Sequence, residues 1–220
     1  PAVSGSAPRL KRGAVLGAGT MGGGIAWLMA DSGMAPIMKD LNPDALVLGL
    51  KQSSKNFAEA LKRKKMTADE FERKQRSIVP QLDNDGFKQV DLLIEAVVEN
   101  MDIKKKVFAD TEKYVRTDAL LTSNTSSLSV EEMSKALEHP ERFAGLHFFN
   151  PVHRMPLVEI ITHSKVSPET LKALYDWVLK VKKTPVIVKD GPGFLVNRIL
   201  MPYLNEAGFL LEEGVSVKDL

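Results

Sequence analysis

Cysteine is absent from all 220 residues, which removes disulfides, thiolate metal sites and a cysteine nucleophile, and fits a reducing compartment with cytoplasm as the default. No apolar run approaches the roughly 18 residues that a membrane helix needs, and the N-terminus lacks the charged-then-apolar layout of a secretory signal. The expectation is a soluble, unexported chain with no membrane span. An excess of one charge is lacking too: 30 basic against 28 acidic residues leave a net charge of +2, so no nucleic acid partner is implied. Metal-ligand spacing is missing, because His139, His147, His153 and His163 do not fall at helical ligand intervals. What remains is an ordinary hydrophobic fraction of 44% on a chain long enough for one sizeable domain and part of another.

The stretch from Arg12 to Asp40 reads as one complete phosphate-binding unit. A short apolar run, Ala14 to Leu16, leads into Gly17-Ala18-Gly19-Thr20-Met21-Gly22. An apolar helical segment follows through Ile25, Ala26, Leu28, Met29 and Ala30, and a second run, Pro36 to Met38, ends at Asp40. Gly17 permits the tight turn, Gly19 lets the backbone approach a diphosphate, and Gly22 lets helix and strand pack closely. The anion then sits on the helix N-terminus, where free N–H groups and the macrodipole favour negative charge. Asp40 lies about twenty residues past the loop, where a carboxylate accepts hydrogen bonds from an adenosine ribose. That carboxylate repels the extra phosphate of NADP and favours NAD, although Lys39 beside it keeps NADP in view.

The rest of the chain continues an alternation of strands and helices. Residues 1–11 are small, polar and proline-bearing, and read as a linker; the fold proper begins at Arg12. A helix is expected from Pro43 to about Lys65, with Ala45, Leu48, Phe57 and Leu61 as its apolar side, and a second from a capping box at Thr67 and Glu70 to about Arg76. Strands are expected at Ser77–Leu82, Asp91–Val97, Ala119–Thr122, Phe143–Phe149, Leu157–Thr162 and Pro185–Lys189. Helices are expected at Met101–Tyr114, with Ile103, Val107 and Phe108 inward, at Val130–Leu137 and at Pro168–Val181. The pattern predicts a doubly wound, mostly parallel α/β sheet over residues 12–190. Gly191-Pro192-Gly193 breaks it, and Phe194 to Glu213 reads as an apolar helix opening a second, helical domain over residues 191–220. One such helix cannot bury its face alone, so that domain is expected to be cut short or supplied by another chain.

Chemistry concentrates between Gly145 and Ile161. His147 ends one predicted strand and Glu159 sits on the next, twelve residues on, with a proline-marked turn between. Neighbouring strands can bring the two together, and a carboxylate accepting one ring N–H fixes the tautomer and raises the basicity of the other nitrogen. That is what a general base needs when an alcohol loses its proton as a hydride leaves the same carbon. A lone His147 is equally a core histidine bound to backbone, and Glu159 a surface strand residue. Ser126, in the polar loop Ser123–Ser127 at a strand's C-terminal edge, either holds a substrate oxygen or nicotinamide ribose or caps a turn. Asn197 either donates to a substrate carbonyl or caps its helix. His153 and Arg154 read as a solvated loop, and Lys62-Arg63-Lys64-Lys65 as a solvated helix end or a phosphate contact.

Together VLGAGTMGGGIA (Val15 to Ala26), IEAVVEN (Ile94 to Asn100), SNTSSL (Ser123 to Leu128), FAGLHFFNPVHRMPLVEII (Phe143 to Ile161) and DGPGFLVNRIL (Asp190 to Leu200) resemble the L-3-hydroxyacyl-CoA dehydrogenases of fatty-acid β-oxidation. The wording HRMP after Asn150-Pro151 resembles the dehydrogenase region of the bacterial multifunctional α subunit. The resemblance implies a Rossmann domain that binds NAD and oxidises (S)-3-hydroxyacyl-CoA to 3-oxoacyl-CoA. It assigns His147 as base, Glu159 as its partner, and Ser126 and Asn197 as contacts to the reacting end of the substrate. Gly17, Gly19, Thr20, Met21, Gly22 and Asp40 match the NAD loop and ribose acid, and Glu99, Lys104, Ser126 and Asn150 further positions near the cofactor. The basic residues Lys62 to Lys65 resemble the region near the CoA phosphates. An acyl-CoA substrate, a fused enoyl-CoA hydratase domain, a thiolase subunit and a homo-oligomer are the implied partners. Two other classes stay open: an NADP(H)-linked 3-hydroxybutyryl-CoA dehydrogenase, or a non-catalytic nucleotide-binding fragment of the larger enzyme.

Overall fold

The computed structural model describes residues 10–220; most of the expected linker, residues 1–9, lies outside them. Eight strands form one sheet in the order β3-β2-β1-β4-β5-β6-β7-β8. They are β1 (Arg12–Leu16), β2 (Ala35–Lys39), β3 (Val79–Gln81), β4 (Leu92–Glu95), β5 (Leu120–Ser123), β6 (Phe143–Phe148), β7 (Leu157–Thr162) and β8 (Thr184–Lys189). Strands β1 to β6 run parallel, β7 is antiparallel to β6, and β8 runs with β7. The order reverses between β1 and β4, which opens a crevice at their C-terminal ends, where open α/β sheets bind ligands.

Helices cover both faces, as strands buried on both sides require. Val15, Leu92, Ile94, Leu146 and Val158 point to one face and pack with α1 (Thr20–Asp31), α2 (Pro43–Lys62) and α6 (Pro168–Lys180), through Ile25, Met29, Phe57, Leu174 and Trp177. Ala14, Leu16, Leu93, Leu121 and Ile161 point the other way, onto α4 (Met101–Thr111) and α5 (Val130–Ser134), through Phe108, Val130 and Met133. Helix α3 (Ala68–Arg76) carries the expected capping box, with Thr67 and Glu70 each satisfying the other's backbone. Helix α7 (Val196–Glu212) contains Pro202 and no buried residue.

Several boundaries and faces differ from the sequence reading for identifiable reasons. Helix α2 stops at Lys62 rather than Lys65, because Lys64 takes a left-handed φ of 55°. Its inward residues are Leu46, Gly49, Ser53, Asn56 and Phe57, while Leu48 is exposed. The stripe is rotated by a close crossing: a Cβ at Gly23 of α1 would come 2.7 Å from the Gly49 carbonyl. Strand β4 ends at Glu95 instead of Val97 because the Glu95 carboxylate turns back to take the Val97 N–H at 2.7 Å. On α4 the inward positions are Lys104, Phe108 and Thr111, and Ile103 is exposed. Strand β3 is trimmed to three residues because Ser77 serves as the C-cap of α3.

Phe108 is fully buried and anchors the helix that carries Lys104. Phe108→Ala is expected to destabilise the chain by about 3–5 kcal/mol, read as a lower denaturant midpoint. An unchanged midpoint would mean that α4 is not held by this contact.

Candidate active site

His147 and Glu159 are direct partners across the antiparallel β6–β7 ladder. Opposite residues in such a pair stand side by side on one face of the sheet. The Nδ1–H of His147 donates to Glu159 Oε2 at 2.7 Å, and the two side chains are only 7% and 1% exposed. In the neutral imidazole this leaves Nε2 as the unprotonated nitrogen. The rings of Phe149 and Phe194 lie 4.4 and 5.9 Å from the imidazole, centre to centre.

The second oxygen of Glu159 accepts the N–H groups of Leu195 and Val196 at 3.0 and 2.9 Å. Helix α7 has no side-chain cap of its own, so a carboxylate from β7 fills that role and meets the positive end of the helix dipole. Burial pushes the Glu159 carboxyl up, but the His147 bond and the two backbone donors outweigh it and hold the group below the usual carboxylate range.

A second buried group lies at the ends of β4 and β5. Glu95 is fully buried and accepts Lys104 Nζ at 2.6 Å and Ser123 Oγ at 2.6 Å. Lys104, 1% exposed, also lies 3.3 Å from Glu99 Oε2 and from the Val97 carbonyl. Glu99 in turn accepts Thr125 Oγ1 at 2.5 Å and the Ser126 N–H at 2.9 Å. Burial raises the Glu99 carboxyl, and these two donors with the Lys104 ammonium more than offset it, leaving the group below its ordinary value.

The glycine loop leads from β1 into α1. Gly17 has a φ of +91° and donates its N–H to the Lys39 carbonyl at 2.8 Å, and a Cβ there would collide with Ala96 O at 2.5 Å. A Cβ at Gly19 would meet no atom within 4 Å, so the backbone is open to a ligand. The first turn of α1 holds no acidic residue and no side-chain cap, which leaves its N–H groups free for an anion. Asp40 accepts the Ala18 N–H at 2.8 Å and the Asn42 N–H at 3.0 Å, so the carboxylate braces the loop.

A pocket of about 340 Å³ joins these parts, lined by Met21, Glu99, Lys104, Ser126, His147, Asn150 and Asn197 among others. The sequence reading had singled out all of these, and they meet at one cleft. Gly17, Gly19, Thr20, Gly22 and Asp40 are not in its lining and belong to the adjoining loop. Asn197 is not a helix cap: it lies in the first turn of α7, and its Nδ2 donates to Ser126 O at 3.4 Å. His153 and Arg154 do not form a merely solvated loop. His153 packs edge-on to Trp27, and both residues approach Glu59 of α2, at 3.8 and 3.7 Å. His163 is the satisfied core histidine of the set, its Nε2 donating to Phe143 O at 2.9 Å. Glu95 falls inside the strand expected at Asp91–Val97, and the sequence reading assigns it no partner. A single acid closing an apolar strand, nine residues before a lysine on the next helix, was the available signal. A larger depression of about 490 Å³ on α3 is bounded by Asp69, Glu72, Arg73 and Arg76, where the helix buries nothing.

Residues 13–191 match the model of the 3-hydroxyacyl-CoA dehydrogenase NAD binding domain. The chain belongs to the 3-hydroxyacyl-CoA dehydrogenase family. Residues 193–220 match the model of the same family's C-terminal domain. The cofactor of the matched domain is NAD. The chain is 48% identical over 206 residues to a fatty acid oxidation complex subunit alpha from Idiomarina loihiensis, covering 94% of this chain and 29% of that relative. Among solved structures, 3-hydroxybutyryl-CoA dehydrogenase from Escherichia coli K12 superposes with a TM-score of 0.91 at 36% identity, over 95% of this chain and 44% of that one. The (S)-3-hydroxybutyryl-CoA dehydrogenase from Ralstonia eutropha gives 0.92 at 35%, over 96% and 75%. The chain thus spans less than half the length of the first two of these relatives. Among the described residues no helix is long and apolar enough to cross a membrane.

Two outcomes follow from the buried charges. Lys104→Ala strands Glu95 without its counter-charge and is expected to cost about 3–5 kcal/mol in denaturant unfolding, the usual penalty for halving a buried pair. Because the folded Glu159 carboxyl titrates below its unfolded value, its contribution is complete above the ordinary carboxylate pKa and fades as pH falls through the lower folded one. Glu159→Gln should therefore flatten the acid limb of stability against pH. An acid limb identical to that of the unsubstituted chain would contradict this assignment.

Proposed function

We propose that this chain carries the dehydrogenase chemistry of its family: NAD-dependent oxidation of a (S)-3-hydroxyacyl-CoA to the 3-oxoacyl-CoA. The observation that carries the reading is the buried His147–Glu159 pair, 2.7 Å apart, whose imidazole lines a pocket adjoining the glycine loop. The loop fits a dinucleotide, since Gly19 leaves the space a Cβ would fill and α1 presents an uncapped N-terminus. Gly17, Gly19, Thr20, Met21 and Gly22 would hold the diphosphate. Asp40, with a lone pair still free on each oxygen, would accept from the ribose.

NAD supplies the hydride acceptor when bound. As the hydrogen on C3 leaves with its electron pair, the hydroxyl proton passes to Nε2 of His147 and the C–O bond becomes a carbonyl. Glu159, fixed by two backbone donors, holds Nδ1–H throughout and offsets the positive charge the ring acquires. Ser126 and Asn197, joined across the pocket mouth, are suited to orient the substrate oxygen. Glu99, Lys104 and Asn150 complete the wall on the cofactor side.

The same reading divides the chain at Asp190, with residues 12–190 as the nucleotide domain and 191–220 as the start of a helical one. The two family models meeting at 191 and 193, and the unburied face of α7, support that division. A fused enoyl-CoA hydratase domain, a thiolase subunit and a cytoplasmic site of action belong to this reading as well; the Idiomarina relative, named as one subunit of a complex and matched over 29% of its length, supports a longer chain with a partner subunit. The exposed Lys62, Arg63, Lys64 and Lys65 are its contact for CoA phosphates. A four-carbon acyl group is a specific variant, favoured by the names of the two solved relatives. NADP is disfavoured, because Lys39 bonds Asn84 and lies 5.8 Å from the Phe87 ring centre instead of standing free beside Asp40.

The test is acetoacetyl-CoA-dependent oxidation of NADH. His147→Gln is expected to lower turnover by about 10²–10⁴-fold while NAD affinity is retained. Undiminished turnover would remove His147 from its role. No turnover by the unsubstituted chain, with NAD still bound, would favour the non-catalytic nucleotide module.

A further inference from the structure

Of the residues lining the pocket, the ionisable ones are Glu99, Lys104 and His147. Behind them, and outside the lining, lies Glu95. It is the last residue of β4, level with Leu16 of β1 and Ser123 of β5. Every acceptor direction it uses is filled by a donor. Oε1 takes Lys104 Nζ at 2.6 Å and the Val97 N–H at 2.7 Å, and Oε2 takes Ser123 Oγ at 2.6 Å. The Ser123 oxygen itself accepts the Thr125 N–H at 3.3 Å, so its proton is directed at Glu95. Such a donor set suits a carboxylate and leaves no proton for Glu95 to share. The Glu95 carbonyl also accepts the Asn124 N–H at 2.8 Å, so one residue ties down the loops after both β4 and β5. Those loops supply Val97, Glu99, Asn124 and Ser126 to the pocket wall.

Lys104 is thus a buried cation shared by two carboxylates, one fully buried and one at the pocket surface. The three charges sum to a single negative charge. Glu95 and Lys104 lie in a low-dielectric setting, where a field is weakly screened, while Glu99, 38% exposed, faces the pocket.

We propose that Glu95 is a positioning and selectivity residue. It holds Lys104 and both loops in place, and the net negative charge of the Glu95–Lys104–Glu99 group favours the oxidised dinucleotide over the reduced one. The inference rests on the NAD-dependent reading above. A hydride acceptor within reach of His147 must bring its nicotinamide into this same pocket. That ring is a cation before it accepts the hydride and neutral afterwards. A fixed negative charge beside it therefore strengthens binding of the first form and not of the second. The two carboxylates thus tilt the pocket toward the cofactor form that an oxidation consumes and add nothing to the hold on the form it releases.

The test is the ratio of dissociation constants for NAD⁺ and NADH, from NADH fluorescence on binding and its displacement by NAD⁺. Glu95→Gln keeps the size and an acceptor for Lys104 but removes the charge. It is expected to move the ratio against NAD⁺ on the order of tenfold, the scale of one charge acting across a protein-like medium at pocket distances. Glu99→Gln removes the same charge from the pocket side and should shift the ratio in the same direction, so the inference stays testable if Glu95→Gln fails to fold. Ser123→Ala loosens Glu95 without altering charge and should leave the ratio close to that of the unsubstituted chain. Either neutral variant binding both forms in the original ratio, or Ser123→Ala shifting it as far as they do, would overturn the inference alone. Failure of the unsubstituted chain to bind either form would overturn the dinucleotide reading and this inference with it.

Discussion

One carboxylate with two unrelated obligations governs this structure. Glu159 gives one oxygen to the imidazole of His147 and the other to the first backbone donors of α7. The base and the start of the helical segment therefore share a single anchor, and neither can be displaced without disturbing the other's hydrogen bonds. The arrangement depends on β7 being the strand that reverses direction beside β6. A parallel neighbour could also bring the two side chains close. The antiparallel one does it with a short connection and leaves the loop from Phe149 to Pro156 free to shape the pocket.

The remainder of the site follows the same economy of position. Strand ends at the reversal of sheet order supply the glycine loop, the Glu95 carboxylate and the Ser123–Ser127 loop in succession. Each is held by a backbone or side-chain bond from the adjacent strand end, so the pocket is built from fixed parts. All of these parts lie within residues 13–191, the span that matches the family's NAD binding domain. The segment from Val196 onward contributes Asn197 and an outward apolar face.

Much of this was legible in the residues. The glycine spacing, the acid after the second strand and the apolar runs named the fold, because each reflects a local steric or periodic demand. The twelve-residue interval from His147 to Glu159, broken by prolines, was enough to foresee their meeting. Glu95 was not legible in the same way, and Lys104 was legible only through the family resemblance. A polar residue at the end of an apolar strand reads as the strand's exit to solvent, and a lysine on a helix reads as its wet face; only their mutual neutralisation across two elements permits both to be buried. The buried stripe of α2 was misread for a related reason. Gly23 and Gly49 bring two helices so close that the contact is set by what is missing from them, and hydrophobicity patterns register only what is present.

The facing positions of His147 and Glu159 also carry an evolutionary consequence. Side chains on a strand alternate between faces, so deleting or adding one residue within either β6 or β7 would send one member of the pair to the opposite side of the sheet. Residues can accumulate in the intervening turn without that penalty. Length variation among descendants of this chain should thus collect between Phe149 and Pro156, while the two six-residue strands on either side keep their count.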